Sequence, residues 1–518
     1  MIRIQRLVAY ILSLVLFLLI TITLLPHLEN NTSQVITTSP KKYNPHQERY
    51  LSWFPHSGFP EQHECFRNAI RLALETKRTI IAPMLRVNQY YPWLPFEELA
   101  KRYEAQEKTT LQLQCQTNQK NWQTELEPCE TMNDWTEIPW SRIMDLEKIK
   151  KEYGVRIIER TQGHGWGIHE SALNEPIEPE DVAIVDVMTF KENGTDWEHP
   201  DPYQKTSWSS WFQSHFQEKL KEPLKFVLET ERLNAIDAKI IQFGALSSAA
   251  RYPTTITQKS QELRKAMMKN RFNVPDQLPA LTAESTKIVE ALGGRFQYST
   301  LIFNLSQLVT MDARAGTLQR LAMDGKVLTK EQEDKLVAQG PHEMEDLSEK
   351  ARRELMEAVT LEIFGDIPIN QAVSAAMPIR PNTPLSDLLK SDSFSNTNSK
   401  DRRRLLEACV NYHKQVEQRY PIYYLVSDMD VAPETRPDIF GPLLEMFPCV
   451  FSKLDMLEWG IQSKQWSVNQ PDLLNDPHLN YEKLFQPFLD ILIAGKGYSF
   501  FEIPNTHLTR FLNWSPKE

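Results

Sequence analysis

The sequence predicts a mixed α/β protein preceded by one apolar segment. Three observations lead there. From Tyr50 onward, short apolar runs alternate with amphipathic stretches. Several of those runs are almost wholly apolar, as in parallel strands covered on both faces. Residues 7–25 carry no charge and are mostly Leu, Ile and Val, close to the roughly 20 residues needed to cross hydrocarbon.

The apolar segment reads as an uncleaved anchor. Arg3 and Arg6 precede it, which favours a cytosolic N-terminus, and Pro26 and His27 end it. A cleaved signal peptide has a core of about 7–15 residues and small residues at its cleavage site, and neither feature is present. The expectation is a single-pass type II protein of the Golgi or endoplasmic reticulum membrane. Residues 1–6 form its tail, 7–25 its anchor and 26–48 a polar stem, with the folded region in the lumen. Asn30 and Asn31 lie in glycosylation sequons, as do Asn193, Asn304 and Asn513. A lumenal location makes the five cysteines disulfide candidates. Cys115 and Cys129 enclose a short polar loop. Cys409 and Cys449 flank one strand unit, and Cys65 is left over inside a helix.

The remaining chain is long enough for two α/β units, taken as 49–270 and 271–518, with a change of unit near residues 252–279. A net charge of −10 excludes nucleic acid as a default partner, since phosphate backbones call for a basic surface. Residues 50–54 read as a strand and 56–62 (HSGFPEQ) as a tight loop. A helix follows with Phe66, Ala69, Ile70, Ala73 and Leu74 on one face. Residues 79–82, stopped by Pro83, form the next strand. Further strands are expected at 155–158, 182–187, 239–243, 298–303, 422–426 and 449–452. Residues 329–362 read as a charged helical insertion and 391–399 as a Ser/Asn-rich loop.

Several short patterns carry possible chemistry. Asp428, Met429 and Asp430 follow an apolar strand, where two carboxylates can hold a divalent cation against a diphosphate. The same residues also read as an ordinary acidic turn. Residues 163–167 (GHGWG) lack the following helix or Lys-Ser/Thr of a phosphate loop and read as a plain loop. The 56–62 loop opens a helix whose free N–H groups suit an anion, although Glu61 opposes one. Arg402, Arg403 and Arg404 read as a solvated helix face. Trp208 and Trp211 read as core or rim. No Cys/His spacing suggests zinc.

Taken in order, the segments resemble the fungal GDP-fucose protein O-fucosyltransferase-like family. The stretch YLSWFPHSGFPEQHECFRNAIRLALETKRTIIAPMLRV is similar to that family's opening strand, loop and helix. YPWLPFEELAKRY, IPWSRIMDLEKIKKEYGVRIIER and IIQFGALSSAARY are similar to its following segments. PIYYLVSDMDVAPETRPDIFGPLLEMFPCVFSKLD resembles a late strand-and-turn segment, and FQPFLDILIAGKGYSFFEIPNTHLTRFL its last helix and phosphate loop. The resemblance implies a GT-B-like fold, two Rossmann-like domains facing a cleft. It also implies inverting transfer of fucose from GDP-fucose to a protein or glycan acceptor, with no metal requirement. Carried over residue by residue, it places Gly58 and Gln62 in the first loop, Asp428 and Asp455 near the nucleoside, and Thr506, His507 and Thr509 at the diphosphate.

The departures bear on mechanism. A departing nucleoside diphosphate must be neutralised, and the family does this with an H-x-R-x-G-D sequence. The matching positions here hold Ile302, Asn304 and Gln307, and an Asn does not replace a bidentate Arg. Glu61 stands where the family has an amide, His63 where it often has Arg, and Glu502 and Ile503 where it has small residues. Arg380 is a candidate for the missing charge. The alternative expectation is therefore a catalytically degenerate, membrane-anchored relative that binds a sugar nucleotide, a glycan or a sister transferase. A third is a metal-dependent transferase using Asp428 and Asp430. No residue pair with defensible general-base geometry is evident.

Overall fold

A computed structural model describes residues 48–88, 135–160, 181–185, 230–244, 278–305, 347–365, 378–396, 398–429, 431–464 and 481–503, with isolated positions between them. Among the described residues no helix is long and apolar enough to cross a membrane. Residues 7–25 lie outside them, as do residues 163–167, Trp208, Trp211 and Asp430.

The first unit is built on a five-stranded, all-parallel sheet. Its strands are β1 (Tyr50–Trp53), β2 (Thr79–Ala82), β5 (Ile157–Glu159), β6 (Val182–Val185) and β8 (Ile240–Phe243), in the order β5-β2-β1-β8-β6. Every residue of β1, β2 and β8 is buried, as strands covered on both faces require. Between β1 and β2 runs α1 (Phe59–Thr76), with Pro60 in its first turn and Lys77 closing it in the left-handed region. Its inner face packs Cys65, Phe66, Ala69, Ile70 and Ala73 onto the sheet, and Leu74 is partly buried against the same core. Trp53 lies tilted against Phe66 there, and Phe66 stacks on Trp140. A two-stranded antiparallel ribbon of β3 (Leu85–Val87) and β4 (Thr136–Ile138) sits beside the sheet, and two short strands, β7 (Phe226–Val227) and β9 (Ala250–Arg251), pair in parallel. α2 (Leu146–Tyr153) is capped by Asp145 and ended by Gly154 at φ 67°. Arg78 staples the amino-terminal edge by donating to the carbonyls of Tyr50, Ile236 and Ala238.

The second unit has four parallel strands: β10 (Ser299–Phe303), β11 (Tyr423–Ser427), β12 (Val450–Ser452) and β13 (Phe500–Ile503). Their order is β12-β11-β10-β13. Renumbered along the chain this is 3-2-1-4, the start of the doubly wound order, whereas the first sheet reads 3-2-1-5-4. One face carries α3 (Pro279–Ala291), α4 (Ser399–Gln415) and α5 (Tyr481–Lys496). The other carries α6 (Glu349–Phe364) and α7 (Pro437–Met446). Cys409 on α4 is bonded to Cys449, just before β12, one of the expected pairs. Cys65 is free and buried, as expected. Cys115 is disulfide-bonded, and Cys129 lies outside the described residues.

Strands appear at all eight expected places, displaced by a residue or two at their ends. β13, the edge strand beside β10, was not foreseen as a strand: Glu502 interrupts its apolar run, yet it is buried. The expected insertion at 329–362 is helical where it is described, in α6.

Candidate functional site

In open α/β sheets ligands bind outside the carboxyl ends of strands, at the point where strand order reverses. That point lies between β1 and β8 in the first sheet and between β10 and β13 in the second.

The loop after β1 fills the first of these points. Ser57 holds φ at 60°, a conformation rare for a residue with a Cβ. His56 is buried, with Nδ1 2.9 Å from Ser57 Oγ and Nε2 3.6 Å from Cys65 Sγ. Burial pushes the Cys65 thiol well above its usual range, so it remains a thiol. Gly58 caps α1 in an extended conformation and offers no capping side chain. Gln62 is buried, and its amide clamps the loop to β3. Nε2 donates to Ser57 O at 2.9 Å and Arg86 O at 2.8 Å, and Oε1 accepts from Arg86 N at 2.9 Å. Both amide hydrogens are committed, so Gln62 shapes the loop from within. Phe59 leaves this loop and packs against Ile302, Ile491 and Ala494 of the second unit. Its ring centroid lies 4.9 Å from that of Phe488. The first loop therefore rests on the β10 side of the second unit.

The second point is acidic. Asn304 continues β10, its N–H donating to Ile503 O and its Nδ2 to Glu502 Oε1, both at 2.9 Å. The nitrogen to which a glycan would be attached is thus turned into the fold. Glu502 has no exposed surface. Glu362, on α6, has its carboxyl pushed up by burial and then by the charge on Glu502. Asp428 ties the ends of two strands together: its N–H donates to Phe303 O and its Oδ1 accepts from Leu305 N at 2.8 Å. Ile302 is buried against α5.

Asp455 sits just past β12, buried, and is engaged from all sides. Arg402 grips it with Nε and Nη2, both at 2.6 Å, while Ser452 N donates to it at 2.7 Å and Ser452 Oγ at 3.1 Å. This corrects the reading of Arg402 as solvated: Arg403 and Arg404 are exposed, but Arg402 is buried. The signal was available, because Arg402 shares the apolar face of α4 with Leu405, Leu406, Cys409 and Tyr412. Arg380 does not supply the charge missing at Asn304. Its guanidinium pairs with Glu417 at 2.9 Å, and its N–H donates to Tyr412 at the carboxyl end of α4. That end leads into the start of β11, the edge of the sheet opposite Asn304. Thr506, His507 and Thr509 lie outside the described residues. No group of three or more metal-ligating side chains occurs among the described residues.

No family model matches the chain, and no curated protein matches it. Among solved structures it is similar to a crystal structure of POFUT1 in complex with GDP. That match has 10% sequence identity and a TM-score of 0.34, covering 91% of this chain and 95% of that one. Strand order and register, as described above, define the architecture.

Proposed function

We propose that this chain is an O-fucosyltransferase-like glycosyltransferase. It transfers fucose with inversion from GDP-fucose to a protein or glycan acceptor, across a GT-B-like cleft. The observation that carries this reading is the seat of the first loop. Phe59 leaves the reversal point of one parallel sheet and packs on Ile302 and Phe488 of the other unit. A loop so placed reaches a ligand held by the second sheet. In this reading Gly58 lets the loop approach the donor, Gln62 holds the loop's shape, and Asp428 fixes the strand ends below it. Thr506, His507 and Thr509 receive the diphosphate, protonated His507 adding charge. Residues 7–25 anchor the protein in the Golgi or endoplasmic reticulum membrane as a type II protein. The Cys409–Cys449 bridge agrees with an oxidising lumen.

A second reading is favoured by one specific observation. Glu502 accepts from Asn304, and its charge reaches Glu362, in a region where a departing diphosphate calls for cations. On that reading the chain is a catalytically degenerate, membrane-anchored partner that binds a sugar nucleotide or glycan. The experiment is GDP release from GDP-fucose by the full-length chain, with and without glycoprotein acceptors and with and without manganese. Acceptor-dependent, manganese-independent release lost in the Thr506→Ala/His507→Ala variant is the expected result. Release that depends on manganese overturns it in favour of Asp428 and Asp430. Absence of release under all conditions overturns it in favour of the degenerate reading.

A further inference from the structure

Strands β10 and β13 are entered by two loops of matching type, residues 294–299 (GRFQYS) and 495–499 (GKGYS). They lie side by side at the amino edge of the second sheet, the end opposite Asn304 and Asp428. Phe296 N donates to Lys496 O at 2.9 Å and Tyr498 N to Tyr298 O at 2.7 Å, while the hydroxyls of Ser299 and Ser499 are 2.7 Å apart. Gly497 permits this approach, since a Cβ there would meet Tyr298 O at 3.1 Å. The end of α4 joins the same edge. His413 Nε2 lies 3.1 Å from Gln297 Oε1, and a Cβ on Gly293 would stand 3.8 Å from Lys414 Cε.

This edge presents rings and cations together. Phe296 is 38% exposed and Tyr498 65% exposed, so two large aromatic side chains on adjoining loops face solvent. Phe296 also holds φ at 60°, a left-handed conformation that a bulky side chain rarely takes. Beside the rings stand Arg295 and Lys414, both exposed, and the half-buried Lys496, whose Nζ donates to Ser285 Oγ at 2.7 Å. Lys414 and Lys496 also complement the carboxyl ends of α4 and α5. Neither loop contains a carboxylate, and among the described residues none of the three cations has an ion-pair partner. Burial and then the charge of Arg295 hold the Lys496 ammonium below its usual range, so like charges are kept close. The acid nearest the end of α4, Glu417, is taken by Arg380. Exposed ring faces beside unpaired cations fit a saccharide with an acidic group. Its C–H face packs on an aromatic ring, and its anionic group pairs with the cations. Two loops on strands about 5 Å apart present too little surface for a protein partner, which buries about 800 Å² per side. We infer that this amino edge binds an acidic glycan, one carrying carboxylate or sulfate groups. Phe296 and Tyr498 are its stacking faces, and Arg295, Lys414 and Lys496 its anion contacts. The site lies at the other end of β10 from Asn304 and does not depend on the nucleotide-sugar reading.

The test is calorimetric titration of the full-length chain in detergent with a heparin hexasaccharide, sialyllactose, neutral N-acetyllactosamine and a hexaglutamate peptide. Wild type binds a sulfated or carboxylated saccharide roughly tenfold or more tightly than the neutral saccharide or the peptide. Which of the two acidic saccharides it prefers assigns the anionic group. Arg295→Ala/Lys414→Ala lowers that affinity by roughly tenfold. Phe296→Gly lowers it by roughly fivefold while the melting temperature holds or rises, because glycine relieves the left-handed backbone. A Phe296→Gly variant that melts lower and binds as wild type does makes the ring structural and overturns the assignment. Hexaglutamate bound as tightly as the acidic saccharides overturns it in favour of an acidic peptide. A wild-type chain that binds neither acidic saccharide overturns it outright.

Discussion

The two strand-reversal points of this molecule are built from opposite materials. At the first, between β1 and β8, neutral hydrogen bonds and backbone geometry shape the loop: Gln62 clamps it, His56 backs Ser57, and Ser57 is held in a strained conformation. At the second, between β10 and β13, a charge is turned inward: Glu502 is closed off beneath Asn304, and burial followed by its charge pushes the half-buried Glu362 carboxyl up. Beyond it, at β12, Arg402 and Asp455 form a buried pair. Shape at the first edge therefore depends on backbone conformation, and shape at the second on electrostatics. Mutations and pH should act on them differently.

The largest expected effect is at the second edge. Arg402→Met leaves Asp455 buried without its cation, and such a break costs about 3–5 kcal/mol. Urea unfolding with far-ultraviolet circular dichroism reads that loss. A change under about 1 kcal/mol would contradict the electrostatic account of this edge.

A smaller effect should appear with pH, again in the second unit. Burial pushes the Asp490 carboxyl up to about 6, even though Gln486 Nε2 and Tyr424 OH donate to it. Its folded pKa exceeds its unfolded value, so the folded protein binds the extra proton. The stability this contributes is complete below about pH 4 and is lost as pH rises through about 6. Asp490→Asn should therefore be more stable than wild type at neutral pH, by about 2 kcal/mol or less. It should also flatten the dependence between pH 4 and 6. Melting curves of both proteins across that range check the sign.

The smallest effect belongs to the first edge. Ser57→Gly relieves the left-handed backbone but gives up the contact with His56, so stability should move by no more than about 0.5 kcal/mol. Ser57→Val, β-branched in the same conformation, should cost about 1–2 kcal/mol. Equal stability of the two variants would remove strain from the description of this loop.

Much of this architecture was legible in the residues. Strands such as β1 and β8 are continuous apolar runs, and the α1 face repeats at helical spacing, so their places followed from periodicity. What escaped was polarity turned inward. Arg402 sits in a run of three arginines that reads as solvated, and only its register with Leu405, Leu406 and Cys409 betrays the buried one. Glu502 hid β13 for the same reason, since a carboxylate with no exposed surface is not what a strand pattern leads one to expect. The resemblance puts Gln62 at the nucleotide, and its hydrogen bonds run into β3. Partners that distant in sequence are set by tertiary packing and leave no local pattern.

The central claim is that the crevice beside the first loop and Asn304 still holds a guanine nucleotide despite its inward-facing acids. Calorimetric titration of the full-length chain with GDP and GDP-fucose, in the presence of a chelator, tests this most directly. The account predicts saturable micromolar binding of both, without metal. No heat of binding for either nucleotide, from a chain that still melts cooperatively, would contradict it.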